Sequence, residues 1–589
     1  MNKLIILTGC LIFCAKAQQV DWINQVMNKP VLDAREYNFR PKSVATSISS
    51  GNNSLNIGSC PKGINGTNTE HWLYVSGGVG AAESVKITGG TCTSGAASGT
   101  IIFSAANAHS GNYTIASATM GIQEALYAQA RPSVYLTGSV DWITRAPIYM
   151  TNASSLIGGG AHADQTFHAQ TRINVIPRNI VGIKGYQNDW RIEGIELFRD
   201  SSTNQAAITG ATGIETRNNG TTTLALGFKI RDVTVRSFYR GIDIDHASLA
   251  QLDSVMVTGC ESDAFVLASA QGYFNNLSAF SNVGNGYILR KSNPAGGTPP
   301  LIQTLHSHGN GGWAIVVEDV IVYIDGCYLN NEAMGGIWIK AGANSVDQHF
   351  ISNCIIEFEG QNPWSGTDPR FPANSTTAPG IRIDAGVGSF KMSNVSFFGI
   401  NGNGVELNNS NNMLSNVTVV GAGQNGLANN KYALLINGAQ NSVVNFNGAP
   451  VRIGGGALNK LINSEIVQGG TDISLQLTST ATKTWLDGLS LYGGGTYAYQ
   501  ADSGSTVIRG GYMSIAAGGI NNSAAFEPSS TPTIYEAFFP VTFANLPTPG
   551  KIGRYYFCVN CNITSPLNCT GGSGGGALAI DNGAGWICK

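Results

Sequence analysis

Two short strand patterns alternate through the middle of the chain at a spacing of about 22 residues, and no other feature constrains the fold as much. One reads apolar-x-Asn/Asp-apolar-x-apolar, as in IRDVTV at 230–235, MSNVSF at 392–397 and LSNVTV at 414–419. The other opens with Gly and then alternates, as in GIDID at 241–245, GIWIK at 336–340, GIRID at 380–384 and GVELN at 404–408. Aligning the first pattern puts Val233, Val255, Leu277, Leu305, Cys327, Cys354, Val395 and Val417 in one column, with steps of 22, 22, 28, 22, 27, 41 and 22 residues. Ile195 fits as an earlier member, and Leu489 and Tyr512 as later ones. Such a unit buries its apolar face only by stacking on its neighbours, so the repeat predicts an all-β parallel β-helix of about 10–13 rungs. Equivalent residues then lie one strand spacing apart, about 4.8 Å. Cys327 and Cys354 read as buried thiols in the apolar stack. The Asn and Asp at 232, 253, 276, 353, 394 and 416 sit at strand starts, where side chains bond to bent backbone as in Asx turns.

Composition agrees. Of 589 residues 75 are Gly, nearly twice the usual share of about 7%. Only 12% are charged, and the net charge is −2. That balance gives no electrostatic footprint for nucleic acid. The apolar fraction of 42% argues against a disordered chain.

The chain opens with Lys3, an apolar run from Leu4 to Phe13, and Ala15-Lys16-Ala17. This is the layout of a secretory signal cut after Ala17. Leu7-Thr8-Gly9-Cys10 also fits a lipoprotein box, so two readings are open: secreted, or anchored at the cell surface. No other stretch approaches the roughly 20 apolar residues of a membrane span. Export permits disulfides. Cys60 and Cys92 bracket one segment and are expected to pair. Cys558, Cys561, Cys569 and Cys588 are expected to form two disulfides, with structural zinc as the alternative.

Residues 121–160 carry a helix with Ile-Gln-x-Ala, a strand, a Gly turn, an apolar strand and Leu-Ile-Gly-Gly-Gly. With Val31-Leu32-Asp33-Ala34-Arg35-Glu36-Tyr37 as the opening strand, this resembles the pectate-lyase-like right-handed β-helix proteins. That group includes rhamnogalacturonase-type enzymes, epimerases and phage tailspike depolymerases. The resemblance covers roughly 31–39 and 121–515 and implies a right-handed coil and a polysaccharide partner. A Gly-Asp-Gly-x-x-Asp-Asp-Thr stretch that is usual in the family is absent, and a β-rich insertion at 41–118 stands in its place. The catalytic signature of polygalacturonases is also missing, so no catalytic residue is carried over. The tail is similar to small β modules that end phage tail fibres, which are often homotrimers. The expected organisation is a signal peptide at 1–17, an opening strand at 18–40, the insertion at 41–118, the coil at 119–530 and a small Cys-rich β module at 531–589.

The register also stacks the outward residues. On the first strand type the columns read Thr234, Met256, Ser278, His306, Tyr328, Ile355, Ser396, and Arg236, Thr258, Phe280, His308, Asn330, Glu357, Phe398. On the Gly strand they read Asp243, Val266, Ile288, Ala314, Trp338, Arg382, Glu406, and Asp245, Ala268, Arg290, Val316, Lys340, Asp384, Asn408. Charged and aromatic side chains gather between about 280 and 406, beside the longest insertion, Glu357 to Pro379. A long loop on a rigid coil is where function tends to sit.

The candidate catalytic residues are Glu357, Asp384, Glu406, Arg382 and His308. The candidate sugar-binding residues are Trp338, Tyr328, Lys340, Arg290, His306 and Trp364. Glu359, Asn330, Asp368 and Arg370 flank them. Hydrolysis needs two carboxylates about 5–5.5 Å or 6.5–9.5 Å apart. Asp384 with Glu406, or Glu357 with Glu359, could supply them. β-Elimination needs a base such as Arg382, Lys340 or His308, with Ca²⁺ on neighbouring carboxylates as an optional cofactor. The same charges on an inert coil would be solvated ion pairs. Asp243 and Asp245 face Val266 and Ala268 in the next rung, so they read as a turn feature or a weak calcium contact. Two functions stay open: an exported glycan lyase or glycoside hydrolase, and a non-catalytic surface or tail-fibre-like carbohydrate-binding protein.

Overall fold

A computed structural model describes residues 31–64, 70–138, 141–161, 171–199, 209–216, 225–245, 247–268, 272–291, 300–342, 348–422, 431–468, 474–493, 499–501, 507–516, 540–546, 548–550, 555–564, 568–572 and 575–589. The expected signal peptide, the lipoprotein box and residues 18–30 lie outside these. The fold is a β-solenoid of about 12 turns, with a β-rich insertion near its start and an antiparallel C-terminal sheet. Two compact units divide the chain, Met1–Leu301 and Ile302–Lys589.

In the first unit the described part of the opening strand stops before Tyr37. It spans Val31–Asp33 and gives way to a 3-10 turn, Ala34–Tyr37. The Asp33 carboxylate ends it by accepting the Arg35 backbone N–H at 3.0 Å. The insertion folds as a six-stranded antiparallel sheet around Leu55, Leu73, Val75, Val85, Phe103 and Ile115, with Cys60 and Cys92 joined in its core. The helix Ile122–Tyr127 follows and is buried along most of its length. Its Gln123 side chain clamps Tyr149 by two bonds, Nε2 to the carbonyl at 3.0 Å and Oε1 from the N–H at 2.6 Å. That fixes the first short strand, Ile148–Tyr149, on which the later short strands stack in parallel.

Each rung has one long kinked strand and one short strand. In the first unit the inward column runs Ile195, Val233, Val255, Leu277, as the repeat predicts. In the second it runs Cys327, Cys354, Val395, Val417 and on to Phe446. The partner of Leu489 is Met513 rather than Tyr512, because the ladder slips by one residue at the Gly488 kink. Cys327 and Cys354 are not free thiols. Stacking sets their Cα atoms 4.4 Å apart, within disulfide reach, and they form a bond between rungs. Cys260, buried, is the free cysteine among the described residues.

The kink explains the Asn column. Asn276, Asn353, Asn394, Asn416 and Asn445 have φ of +51 to +57°, as does Ser254 in place of the expected Asp253. Asn tolerates this left-handed conformation better than other residues with a Cβ. The side chains bond to one another along the coil rather than to local backbone: Asn394 to Asn353 at 3.1 Å, Asn416 to Asn394 at 3.1 Å, Asn445 to Asn416 at 2.9 Å.

The Gly that opens many of the short strands has a different cause. Its φ is ordinary, but the next rung passes too close. A Cβ on Gly380 would meet a Phe397 ring carbon at 2.5 Å and the Gly404 carbonyl oxygen at 2.7 Å. Gly213 and Gly241 are confined in the same way by the rungs that follow them.

The C-terminal sheet packs around the disulfides Cys558–Cys561 and Cys569–Cys588. No described helix is long and apolar enough to cross a membrane.

Candidate functional site

The second unit presents two outward sets of side chains. The long strands Tyr323–Asn330 and His349–Glu357 place Asn330 directly beside Glu357. The Tyr328 hydroxyl donates to Glu357 Oε2 at 2.8 Å, and Asn330 Nδ2 donates to the same oxygen at 3.3 Å and to the Tyr328 oxygen at 2.7 Å. The His306 ring tilts against Tyr328 at 5.1 Å. Burial holds the His306 imidazole below its ordinary value, with His308 adding to the shift, and burial lowers His308 too. Burial and the adjacent Glu357 carboxylate hold the Tyr328 phenol above its ordinary value.

The short strands carry the other set. Trp338, Arg382 and Glu406 stack in one column, in register. Trp338 Nε1 donates to Asp384 Oδ2 at 3.0 Å, and Arg382 Nε to Asp384 Oδ1 at 2.9 Å, so both carboxylate oxygens are engaged. The Lys340 ammonium lies 4.3 Å from the Trp338 ring centroid and pairs with Glu318. Trp313 extends the aromatic face, its ring 5.2 Å from that of Trp338. Glu406 accepts from Asn403 Nδ2 at 2.7 Å.

Glu318 is missing from the sequence-based columns. The rung Trp313–Glu318 was expected to turn Ala314 and Val316 outward, but Val316 pairs with Trp338 and Glu318 with Lys340. The offset arises because Gly312 looks like the opening Gly. The register instead puts Ala314 opposite Gly336, the crowded position, where a small side chain serves.

Other expectations fail. Glu359 does not pair with Glu357 across an extended strand, because the strand stops at Glu357 and Phe358 turns left-handed with φ of +52°. Glu359 is wholly buried beside Glu332, which is also wholly buried. Glu332 accepts from Ser307 Oγ at 2.7 Å and from the Asn310 N–H at 2.6 Å. Neither Glu359 oxygen has a hydrogen bond of good geometry; the Glu332 backbone N–H interacts with it only weakly. Burial pushes Glu332 up to about 8. Burial, with Glu332 beside it, pushes Glu359 well up. Arg290 ends the strand Tyr287–Arg290 of the first unit.

The loop after Glu357 is tightly bonded. Asn362 Nδ2 donates to the Asn310 carbonyl at 2.7 Å and its N–H to Asn374 Oδ1 at 2.8 Å, while Gln361 reaches the Gly399 carbonyl at 2.7 Å. Trp364 is 44% exposed on this loop, and Asp368 and Arg370 grip each other. The described His, Cys, Asp and Glu side chains converge in threes only at Cys561, Cys569 and Cys588, whose sulfurs are in the disulfides. They offer no cluster for Ca²⁺ beside the candidate residues.

The first unit has a short-strand column of its own, where the sequence repeat is irregular. Tyr149, Lys184, Glu215 and Asp243 follow one another in register. Asp243 therefore has Glu215 on one side, although Val266 is on the other as expected.

The fold defines a parallel β-helix protein. The chain is similar to the A-module of an Azotobacter vinelandii mannuronan C-5 epimerase, at 14% identity over 69% of this chain and 92% of that one, with a TM-score of 0.34. It is similar to a tailspike protein of bacteriophage CBA120, at 11% identity over 77% and 66%, with a TM-score of 0.34. It is also similar to the catalytic domain of a GH87 alpha-1,3-glucanase, at 10% identity over 82% and 90%, with a TM-score of 0.35. No protein-family model matches, and no curated protein matches.

Proposed function

We propose that this is an exported polysaccharide-processing protein that lays its glycan along the outward face of the second unit. The observation that carries the reading is the Trp313–Trp338 face bordered by Lys340, Arg382, Asp384 and Glu406. Aromatic faces hold the apolar side of a sugar ring, and the charged groups around them bond to its hydroxyls. The disulfides agree with an oxidising compartment outside the cytosol. As an enzyme it would act as a lyase or a hydrolase, with Glu357, Asp384, Glu406, Arg382 and His308 as the catalytic candidates.

One observation favours the non-catalytic reading of the same face, a surface or tail-fibre-like carbohydrate-binding protein. Asp384 is held on both oxygens and Glu406 by Asn403, so these carboxylates serve as fixed acceptors. Incubation with a panel of polyuronides and neutral glycans separates the readings. Ultraviolet absorbance reports unsaturated lyase products, and new reducing ends report hydrolysis. Turnover that survives each of Glu357→Gln, Asp384→Asn and Glu406→Gln would refute the catalytic assignment. Binding without turnover supports the second reading, and neither binding nor turnover on any glycan refutes both.

A further inference from the structure

A cleft of about 700 Å³ opens in the first unit, between the inserted sheet and the outward face of the first short strands. Its floor is the Tyr149, Lys184, Glu215 and Asp243 column. Trp72 and Ser84 of the insertion form the facing wall. That wall is fastened to the coil: Ser84 Oγ donates to the Arg145 carbonyl at 2.8 Å, and the Arg145 guanidinium lies 4.4 Å from the Tyr74 ring centroid. The volume lies in the range that small ligands fill, about 300–1,000 Å³.

The lining holds polar atoms with nothing to bond. The Asp243 side chain is 6% exposed; Arg240 Nη1 holds its Oδ2 at 2.6 Å, and its Oδ1 has no partner. Arg240 Nε and Trp72 Nε1 are buried without partners as well. Each such group is costly to bury unless something bonds to it. All three belong to residues that line the cleft, just beneath its surface. Two cations add a second demand. Neither Arg145 nor Lys184 has a carboxylate within ion-pair distance among the described residues. The Lys184 ammonium instead lies over the rings of Tyr149 and Tyr186, at 5.6 and 5.7 Å. A ligand that meets the accessible demands carries a negative group for Lys184 and Arg145, an apolar face for the rings, and hydroxyls towards Glu215 and Asp243.

We infer that this cleft is a separate binding site for a sugar ring bearing an anionic group, independent of the face proposed for the second unit. The pairing of Glu215 beside Asp243 supplies two acceptors at one strand spacing, about 4.8 Å. The inserted sheet is what makes the site, since the coil alone would leave its floor open.

The test is calorimetric titration of the full chain carrying Trp338→Ala, so that the other face is weakened. The probes are glucuronic acid, glucose 6-sulfate and glucose. The two anionic sugars are expected to bind, and glucose at least tenfold more weakly. Comparing carboxylate with sulfate identifies which anion the cations select. Lys184→Gln in the same background, a substitution at the cleft surface, is expected to lose at least tenfold in affinity for the anionic sugars. Equal binding of glucose, no binding of either anionic sugar, or unchanged affinity in Lys184→Gln would overturn the inference. Loss of binding here with glycan binding intact in the unsubstituted chain would leave the second-unit reading standing.

Discussion

Glu359→Gln should make this protein less sensitive to rising pH. Glu332 and Glu359 are both fully buried in neighbouring rungs of the coil. Burial raises each carboxyl above the ordinary glutamate value of about 4.5. The folded chain therefore keeps protons that the unfolded chain releases. The stability they confer is complete below about 4.5 and is lost as pH climbs towards the folded value, about 8 for Glu332. Linkage sets the limiting slope at about 1.36 kcal/mol per pH unit for each carboxyl held protonated, so the pair is expected to cost on the order of a few kcal/mol as pH climbs through that range. Gln at 359 is neutral at every pH and close in shape to a protonated Glu. It disturbs no strong bond, because the Glu359 oxygens make none. Glu332 is the poorer site for the change, since an amide would clash with the donors of Asn310. Urea unfolding at a series of pH values, followed by tryptophan fluorescence, gives the difference between variant and parent. That difference cancels the titrating groups that do not interact with Glu359. It should move in favour of Glu359→Gln by up to about 1.4 kcal/mol per pH unit. A gap that stays constant, or closes as pH rises, would show that the pair is not held protonated.

Four other outcomes follow from the geometry. Gly380→Ala should lower stability by about 1–3 kcal/mol, because the new Cβ drives into Phe397 and the Gly404 carbonyl; thermal unfolding checks this. Asn416→Ala should be less stable than Asn416→Gly by about 1 kcal/mol, since both lose the ladder bonds but only Ala resists the left-handed backbone. Replacing Cys327 and Cys354 by Ser together should cost about 3.5 kcal/mol by loop-closure entropy over the 27-residue separation, read against the parent under oxidising conditions. If the second-unit face binds glycan, Trp338→Ala should weaken that binding about tenfold, or about 1.4 kcal/mol, as titration calorimetry of the folded variant would read.

Much of the fold could be read from the chain by itself. The 22-residue recurrence named the coil, and the apolar column around Val233, Val255 and Val395 stood in the register that the strands adopt. The outward neighbours Trp338, Arg382 and Glu406 also followed from the period, because side chains alternate along a strand and equivalent ones stack. What the chain by itself left undecided was wherever one rung meets another in three dimensions. Cys327 and Cys354 became a disulfide only when stacking brought them together, and the opening Gly only when the next rung's carbonyl closed over it. Glu359 and Glu357 share a local sequence, yet a single left-handed residue between them sends one into the core and leaves the other on the face. The first-unit cleft was hidden for the same reason. Trp72 and Asp243 lie 171 residues apart in the sequence, and only the fold of the insertion against the coil makes them line one cavity. Periodicity reports what each residue faces along its own strand; packing between segments far apart in the chain decides what lies opposite.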